Sequence, residues 1–354
     1  MSPVRSIAVY VPGLQAGGAE RSAAVLASGF HAAGLATTLL VDYEAHANRP
    51  FLDAGVSLVP LLGSHPRTVL RLARWLARAR PDVALAVDAA ASLKLVAAHR
   101  IARVPTRIYL SYHGYAGIVR GRLGRAAYGL APVLGRLSQG TVCVSDGLVR
   151  HLVSEFRAPP ARTASIPNPI PVERARPPAD AAALQGRPPH ILAVGRLVPE
   201  KGYGGLIAAL AECPPDTTLT ILGEGPERAA LERAAARFGH RVTLPGYAEP
   251  WAAYARARVF ALTSISESFG NVVVEALASG LPVVATACGG PEEILGGGRH
   301  GTLVPLGDPR ALAAALRAAL SDPGDPAPRI AHAALFGTQR VVQAYLDLFA
   351  RRAP

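Results

Sequence analysis

Two carboxylates frame one turn in a chain with few of them. Residues 264–284 read SISESFGNVVVEALASGLPVV, and place Glu267 and Glu275 around a Phe-Gly-Asn turn with seven residues between them, in a chain of 354 residues with 25 acids. The apolar run RVFALTS ends near Ser264, and a helix is expected from about Gly270 to the Gly280-Leu-Pro stop. A helix starting there leaves four backbone N–H groups, Gly270 to Val273, with the positive end of the helix dipole. That is a ready place for a phosphate. Glu267 precedes the turn, where it either caps the helix or meets a ligand. Glu275 falls one to two turns inside, on the side of the valines, where a carboxylate is costly to bury unless it accepts hydrogen bonds. The vicinal hydroxyls of a ribose would supply them; the other reading is a solvated helix face.

Cations stand at a second strand end. AVGRLVPEKGY carries Arg196 and Lys201 five residues apart, and Lys201 is one of only two lysines, with Lys94. A guanidinium fork beside a compact ammonium suits a diphosphate, because the two answer different oxygens. Glycine turns recur at strand ends in ILGEGPER, with Gly223, and VPGLQAGGAER, with Gly17 and Gly18 before a helix. Such turns let backbone approach a phosphate. The spacing is not that of a GxGxxG dinucleotide fingerprint, which argues against a nicotinamide enzyme.

The elements that would position these residues are strands of five to seven apolar residues alternating with helical patterns. That alternation predicts parallel sheets covered on both faces. The first half runs SIAVYV, ATTLLVDY, VSLVPL, PDVALAV, TRIYLSYH and GTVCVS. The second restarts at HILAVGRL and continues through TTLTILGEG, RVTLPGY, RVFALTS, PVVATA and GTLVP. Between them a stretch rich in proline and small residues loses periodicity. The expected fold class is α/β, with two tandem Rossmann-like, doubly wound domains and a ligand site in the cleft between them, at the carboxyl ends of the strands. Expected boundaries are 1–165 for an N-terminal acceptor domain, 166–188 for a linker and 189–335 for a nucleotide-sugar domain. A C-terminal helix over 336–354 is placed back on the first domain.

Composition narrows the classes. Half of the residues are hydrophobic, enough for two cores. No uninterrupted apolar stretch reaches membrane-spanning length, and the N-terminal run is too short for a signal-peptide core. Cys143, Cys213 and Cys288 are scattered without metal-ligand spacing, which fits reduced thiols in a cytoplasmic protein. The net charge of +12 is mostly arginine. RTVLRLARWLARAR holds Arg67, Arg71, Arg74, Arg78 and Arg80 without an acid, with Val69, Leu72, Trp75 and Leu76 at helical spacing. Arg120, Arg122, Arg125 and Arg136 extend the basic character of this half. Arg67, Arg71, Arg74, Trp75 and Arg78 are assigned to an anionic membrane surface or an acceptor surface. No helix-turn-helix, zinc or base-stacking signature supports a nucleic-acid partner.

GRLVPEKG, ILGEGPE, SxxESFGNVVVEALASGLPVVAT and GGPEEIL in this order closely resemble glycosyltransferase family 4, the retaining nucleotide-sugar transferases of the GT-B fold. The resemblance is dense over about 190–310. In the first half it rests on GGAER and more loosely on YLSYHG and CVSDGLVRHL…IPNPI. Two positions depart from the family pattern. Asn168-Pro-Ile-Pro lacks the acid that many members carry there, and His300-Gly301 replaces a commoner Asn-Gly.

The resemblance implies that Arg196 and Lys201 hold the donor diphosphate, that Glu275 binds the ribose, and that Glu267 lies by the sugar. The backbone of Phe269, Gly270, Asn271 and Val272 would serve sugar hydroxyls and phosphates, while His113 would stand near the acceptor and the reacting sugar. The expected catalytic set is Glu267, His113, Arg196 and Lys201, and the donor set adds Gly17, Gly18, Gly223, the 269–272 turn and Glu275. The expected activity moves a sugar, with retention, from a UDP- or GDP-sugar to a hydroxyl of a glycan or lipid-linked acceptor. It requires no cofactor, and no metal either, since no DxD-like pair lies in a suitable loop. The expected place is cytoplasmic, peripheral at the inner face of the membrane. Front-side attack, with the leaving phosphate taking the acceptor's proton and Glu267 orienting the sugar, is preferred to a carboxylate nucleophile. A sugar-nucleotide epimerase of the same fold, or a catalytically idle sugar-nucleotide-binding protein, are the competing expectations.

Overall fold

A computed structural model describes residues 4–118 and 121–351. Arg120 lies outside them. The chain forms two compact units, the first comprising residues up to Ile170 together with the stretch from Thr338, the second Pro171–Gly337.

In the first unit the apolar runs become β1 (Ser6–Val11), β2 (Ala36–Val41), β3 (Ser57–Pro60), β4 (Val83–Val87), β5 (Arg107–Tyr112), β6 (Gly140–Cys143) and β7 (Thr163–Ser165). They pair in parallel in the order β3-β2-β1-β4-β5-β6-β7. The intervening helices are α1 (Gly18–Ala32), α2 (His65–Ala79), α3 (Ala89–Ala102), α4 (Arg122–Gly129), α5 (Ala131–Leu137) and α6 (Asp146–Ser154). Burial on both faces explains the unbroken apolar strands: Ile7, Val9, Leu39, Leu85 and Val142 are inaccessible or nearly so.

In the second unit α7 (Ala181–Gln185) precedes β8 (His190–Val194), and α8 (Tyr203–Ala209) precedes β9 (Thr218–Leu222). There follow α9 (Arg228–Ala235), β10 (Val242–Gly246), α10 (Trp251–Tyr254), β11 (Val259–Leu262) and α11 (Asn271–Ala278). The unit ends with β12 (Val283–Thr286), α12 (Gly290–Ile294), β13 (Thr302–Val304), α13 (Pro309–Ser321) and α14 (Ala327–Ala333). Its sheet is also parallel, in the order β10-β9-β8-β11-β12-β13. Strand order reverses at β1/β4 in one unit and at β8/β11 in the other, the positions where open parallel sheets bind ligands.

The segment expected as a linker, 166–188, has structure of its own. Residues 171–188 belong to the second unit, where the Asp180 carboxylate caps α7 by accepting the Ala183 N–H at 2.8 Å and Leu184 is fully buried. One buried leucine and one cap suffice for a short helix that proline-rich composition conceals.

The last helix, α15 (Thr338–Ala350), belongs to the first unit. Its apolar stripe Val341, Val342, Tyr345 and Phe349 joins that unit's core. Phe30 lies edge-on to Tyr345 with ring centres 6.0 Å apart, and Tyr109 is 4.7 Å from Phe349. The Arg107 guanidinium donates to the Phe349 carbonyl at 2.6 Å and satisfies a carbonyl near the helix end.

Candidate functional site

The end of β11 and the start of α11 gather the richest chemistry. Ser264 follows β11 and is fully buried, and its hydroxyl donates to Glu267 Oε1 at 2.9 Å. The same oxygen is paired with the Lys201 ammonium. The pair is fixed from both sides by backbone. Ile265 N–H donates to the Glu200 carbonyl at 2.8 Å, and the Thr263 hydroxyl donates to the Lys201 carbonyl at 2.8 Å. Glu267 itself pairs with the chain after β12: its N–H donates to Cys288 and its carbonyl accepts from Gly290. The segment ahead of α11 is therefore stitched to two neighbouring loops, and Glu267 and Lys201 keep about a sixth and a fifth of their side-chain surface exposed. Burial, with Glu267 adding to it, pushes the Tyr203 phenol above its ordinary range, so it stays protonated beside Lys201 and Glu267.

Gly270 is the cap of α11, with φ of 105°. The Val273 N–H donates to the Gly270 carbonyl at 2.9 Å. The expected four free donors therefore exclude Val273, because the first turn tightens onto its own cap. Phe269 is buried against Phe336, with ring centres 5.8 Å apart. Its backbone lies so close to Gly290 that a Cβ there would sit 2.3 Å from the Phe269 carbonyl oxygen. Asn271 and Val272 are half-buried at the head of the helix.

Glu275 is fully buried, and the Tyr254 hydroxyl donates to its Oε2 at 2.9 Å. The same hydroxyl lies 3.3 Å from the Val272 carbonyl. The solvated-face reading of Glu275 is thereby excluded. Tyr254 was not legible as a site residue, since WAAYARAR reads as an ordinary amphipathic stretch and its partner is a helix away in sequence.

Arg196 stands apart from this cluster. Its side chain is exposed and makes no hydrogen bond or ion pair with the described residues. Its loop lies against the turn after β9. Gly223, with φ of 151°, packs so tightly that a Cβ would fall 1.9 Å from the Gly195 carbonyl oxygen and 3.7 Å from the Arg196 nitrogen.

The remaining residues belong to the first unit. Gly17 caps α1 and Gly18 opens it, but the Glu20 carboxylate lies over the turn, 2.1 Å from where a Gly17 Cβ would be. A phosphate approaching that turn has to displace a carboxylate. His113 follows β5 directly. Ser111 Oγ lies 2.8 Å from its Nε2, and the side chain of Asn168 stands beside the imidazole, whose Nδ1 has no hydrogen-bond partner among the described residues. Burial pushes the His113 pKa down to about 4, so the ring is neutral at pH 7. Ser111 and Asn168 are the neighbours that sequence reasoning missed; the one signal was that they lie within YLSYH and IPNPI.

On α2 the arginines Arg67, Arg71, Arg74 and Arg78 are exposed, while Leu72, Ala73 and Leu76 are buried. Arg71 is not free: its guanidinium donates to the Leu61 carbonyl at 2.5 Å and also to that of Leu62. Trp75 is half-buried and lines a hollow with Leu35, Ala36 and Ser57 at the amino ends of the strands. Leu72, Ala73 and Leu76 are thus turned to the protein, while what α2 shows solvent is charge together with the exposed Leu70. Among the described residues no helix is long and apolar enough to cross a membrane.

Comparison with known proteins fits this geometry. Residues 16–174 match Glycosyltransferase Family 4, and residues 188–322 match Glycosyl transferases group 1. The chain belongs to this family of glycosyltransferases. The lipopolysaccharide core biosynthesis glycosyltransferase LpsE of Rhizobium meliloti is 34% identical over 173 residues, 46% of this chain and 50% of that one. A GDP-mannose-dependent alpha-(1-6)-phosphatidylinositol monomannoside mannosyltransferase of Mycolicibacterium smegmatis is 35% identical over 198 residues, 49% and 52% of the two chains. The chain thus spans about half the length of these curated relatives. Among solved structures, Anabaena HepE in complex with UDP superposes with a TM-score of 0.82 at 21% identity, covering 97% of this chain and 98% of that one. That likeness establishes the fold: two parallel-sheet α/β units of the GT-B type.

Proposed function

We propose that this protein is a retaining glycosyltransferase that moves a sugar from a UDP- or GDP-sugar to a hydroxyl of a lipid-linked or cell-envelope glycan. The observation that carries the reading is the pairing of Lys201 with Glu267 at the end of β11, with Glu275 buried one turn inside α11, the helix that follows. One strand end then offers a cation for a diphosphate, an acceptor for sugar hydroxyls and an acceptor for a ribose.

Departure of the nucleoside diphosphate builds negative charge on its β-phosphate. Lys201, Arg196 and the α11 N-terminus are assigned to that charge, in the role a divalent cation fills elsewhere. Lys201 has three N–H donors, so it can hold Glu267 and a phosphate oxygen at once. Arg196, with no side-chain partner among the described residues, is assigned to a ligand without a contact there to break. Glu267, held by Ser264 and Lys201, orients the sugar, while the leaving phosphate takes the acceptor's proton. Glu275, with Tyr254 on one oxygen, reads the ribose. His113 serves the acceptor end of the reaction. The relatives named for lipopolysaccharide core and phosphatidylinositol mannoside synthesis support an acceptor of the cell envelope. The exposed arginines of α2 support attachment to an anionic membrane, at its inner face.

The experiment is turnover of a panel of UDP- and GDP-sugars with lipid-linked and free glycan acceptors. Product anomers are assigned by NMR, and each reaction is run with and without EDTA. The expected outcome is a product with the donor's anomeric configuration and a rate indifferent to EDTA. Inverted product, or loss of turnover on chelation, contradicts the reading.

A further inference from the structure

The helices α2, α3, α4 and α5 contain no aspartate and no glutamate. Three crossovers run the same way along the first sheet, from β3 to β4, β4 to β5 and β5 to β6, and their right-handed sense places these helices on one face. There α3 packs against α2, α4 and α5, so the four make one layer. A layer that holds arginines and no carboxylate keeps a positive potential over its whole outer side.

Within that layer α4 and α5 carry a second feature. They meet at Leu130, which closes the first and opens the second. Exposed positions recur at helical spacing across both: Arg122, Arg125, Leu130, Val133, Arg136 and Leu137. Ala127, Tyr128, Ala131 and Leu134 are the buried side of the same two helices. A single exposed leucine is ordinary on a protein surface. Here Leu130, Val133 and Leu137 keep 43%, 48% and 40% of their surface exposed on one stripe, among arginines. On that side they add little to the core of the unit.

We propose that the α4–α5 stripe enters an anionic bilayer, with Leu130, Val133 and Leu137 at the acyl boundary and Arg122, Arg125 and Arg136 among the lipid phosphates. The proposal rests on the reading of this protein as one that works at a membrane, and it names the part that goes in. Arginine suits the edge of such a stripe, because its stem lies along apolar surface while the guanidinium reaches a phosphate. A second copy of this chain would bring arginines against arginines. A nucleic acid would leave three aliphatic side chains without a partner. A bilayer surface answers both the charge and the aliphatic groups. Neither is sufficient alone: three side chains bury too little area for stable anchoring, and surface charge is screened by salt. On the same layer, α2 therefore attracts and the α4–α5 stripe inserts.

The test needs no sugar substrate. The full-length protein is mixed with vesicles of phosphatidylglycerol and phosphatidylcholine at low ionic strength, and binding is measured by co-sedimentation. Leu130→Ser, Val133→Ser and Leu137→Ser, combined in one variant, should weaken binding roughly tenfold or more. Its melting temperature should match that of wild type, since the three side chains are exposed. A second variant, Val133→Trp, reports insertion directly: its emission in excess of wild type should be quenched by brominated acyl chains. This variant carries the test by itself if the triple variant fails to fold. Serine substitutions that leave binding unchanged overturn the proposal, and so does an added tryptophan that stays unquenched while the protein is vesicle-bound. A wild-type dimer that the serine substitutions dissolve, seen by sedimentation without lipid, makes the face an interface between copies and overturns it too. A wild type that ignores anionic vesicles altogether defeats the membrane reading itself, whereas binding without insertion defeats the stripe alone.

Discussion

Lys201 is the residue on which the chemistry concentrates. Its ammonium is shared with Glu267, and in the proposed reaction it also meets the charge that develops on the leaving diphosphate. Lys201→Ala is expected to lower turnover by roughly 10²- to 10³-fold, measured as initial rates at saturating donor. Among the described residues, loss of the cation also leaves Glu267 with only Ser264 as a side-chain hydrogen-bond partner, so Lys201→Ala, Glu267→Gln should lose less than the two single effects added together. At Glu275 the expectation is different. Tyr254→Phe removes a hydrogen bond to a buried carboxylate and should cost about 1–3 kcal/mol of stability, read from denaturant unfolding. Bound nucleotide should offset part of that loss if ribose hydroxyls supply the missing donors.

His113 gives a pH signature with a definite sign. Its folded pKa, about 4, lies below the ordinary histidine value. Between that ordinary value and the folded one the unfolded chain binds a proton that the native protein does not. The stability that neutral His113 confers is therefore present above about pH 6.5 and is lost as pH falls toward 4. Melting profiles of wild type and His113→Gln should run parallel above pH 7, and the wild type should fall more steeply below it. Parallel profiles throughout would show that burial does not hold the ring neutral.

At the scale of elements, the sheets were legible because a strand buried on both faces leaves an uninterrupted apolar run. The SIAVYV and PVVATA runs fall in β1 and β12. What escaped were contacts made after the elements had formed. VVQAYLDLF announces an apolar helical stripe, but nothing in it says that the Phe349 carbonyl meets the Arg107 guanidinium. GEGPER announces a turn, but not that Gly223 lies against the Gly195 carbonyl. Glu267 and Glu275 were readable because an acid amid apolar residues is conspicuous. Tyr254, Ser264 and Asn168 were not, since small or aromatic residues at those places are compatible with ordinary packing. The glycines supply a test at this scale. Gly223→Ala places a methyl on backbone, at a φ unfavourable for other residues, and should destabilise the protein by about 3 kcal/mol or more. Gly204→Ala, whose Cβ meets nothing within 4 Å, should be tolerated. Equal melting temperatures for the two variants would refute the close approach at the β9 turn.

For the whole molecule, the charge of +12 is unevenly spent. Arginines on α2 face solvent with Leu70, while Leu72 and Leu76 face the core, so attraction to a membrane would be mainly electrostatic and sensitive to salt. Arg71 braces the preceding loop, and the informative variant therefore reverses Arg67, Arg74 and Arg78 and spares it. That triple substitution to Glu should abolish binding to vesicles containing phosphatidylglycerol at low ionic strength, with the melting temperature little changed. Binding equal to wild type removes the membrane from the account.

The central claim is that a cation at Lys201, beside Glu267 and the α11 N-terminus, drives departure of a nucleoside diphosphate from a sugar. It is tested most directly by measuring release of UDP or GDP from a panel of nucleotide sugars by wild type and Lys201→Ala under identical conditions. The account predicts that wild type turns over at least one donor and that the variant binds nucleotide weakly and is slower by at least about 10²-fold. A variant as fast as its parent, or a wild type that neither binds nor cleaves any donor, would contradict it.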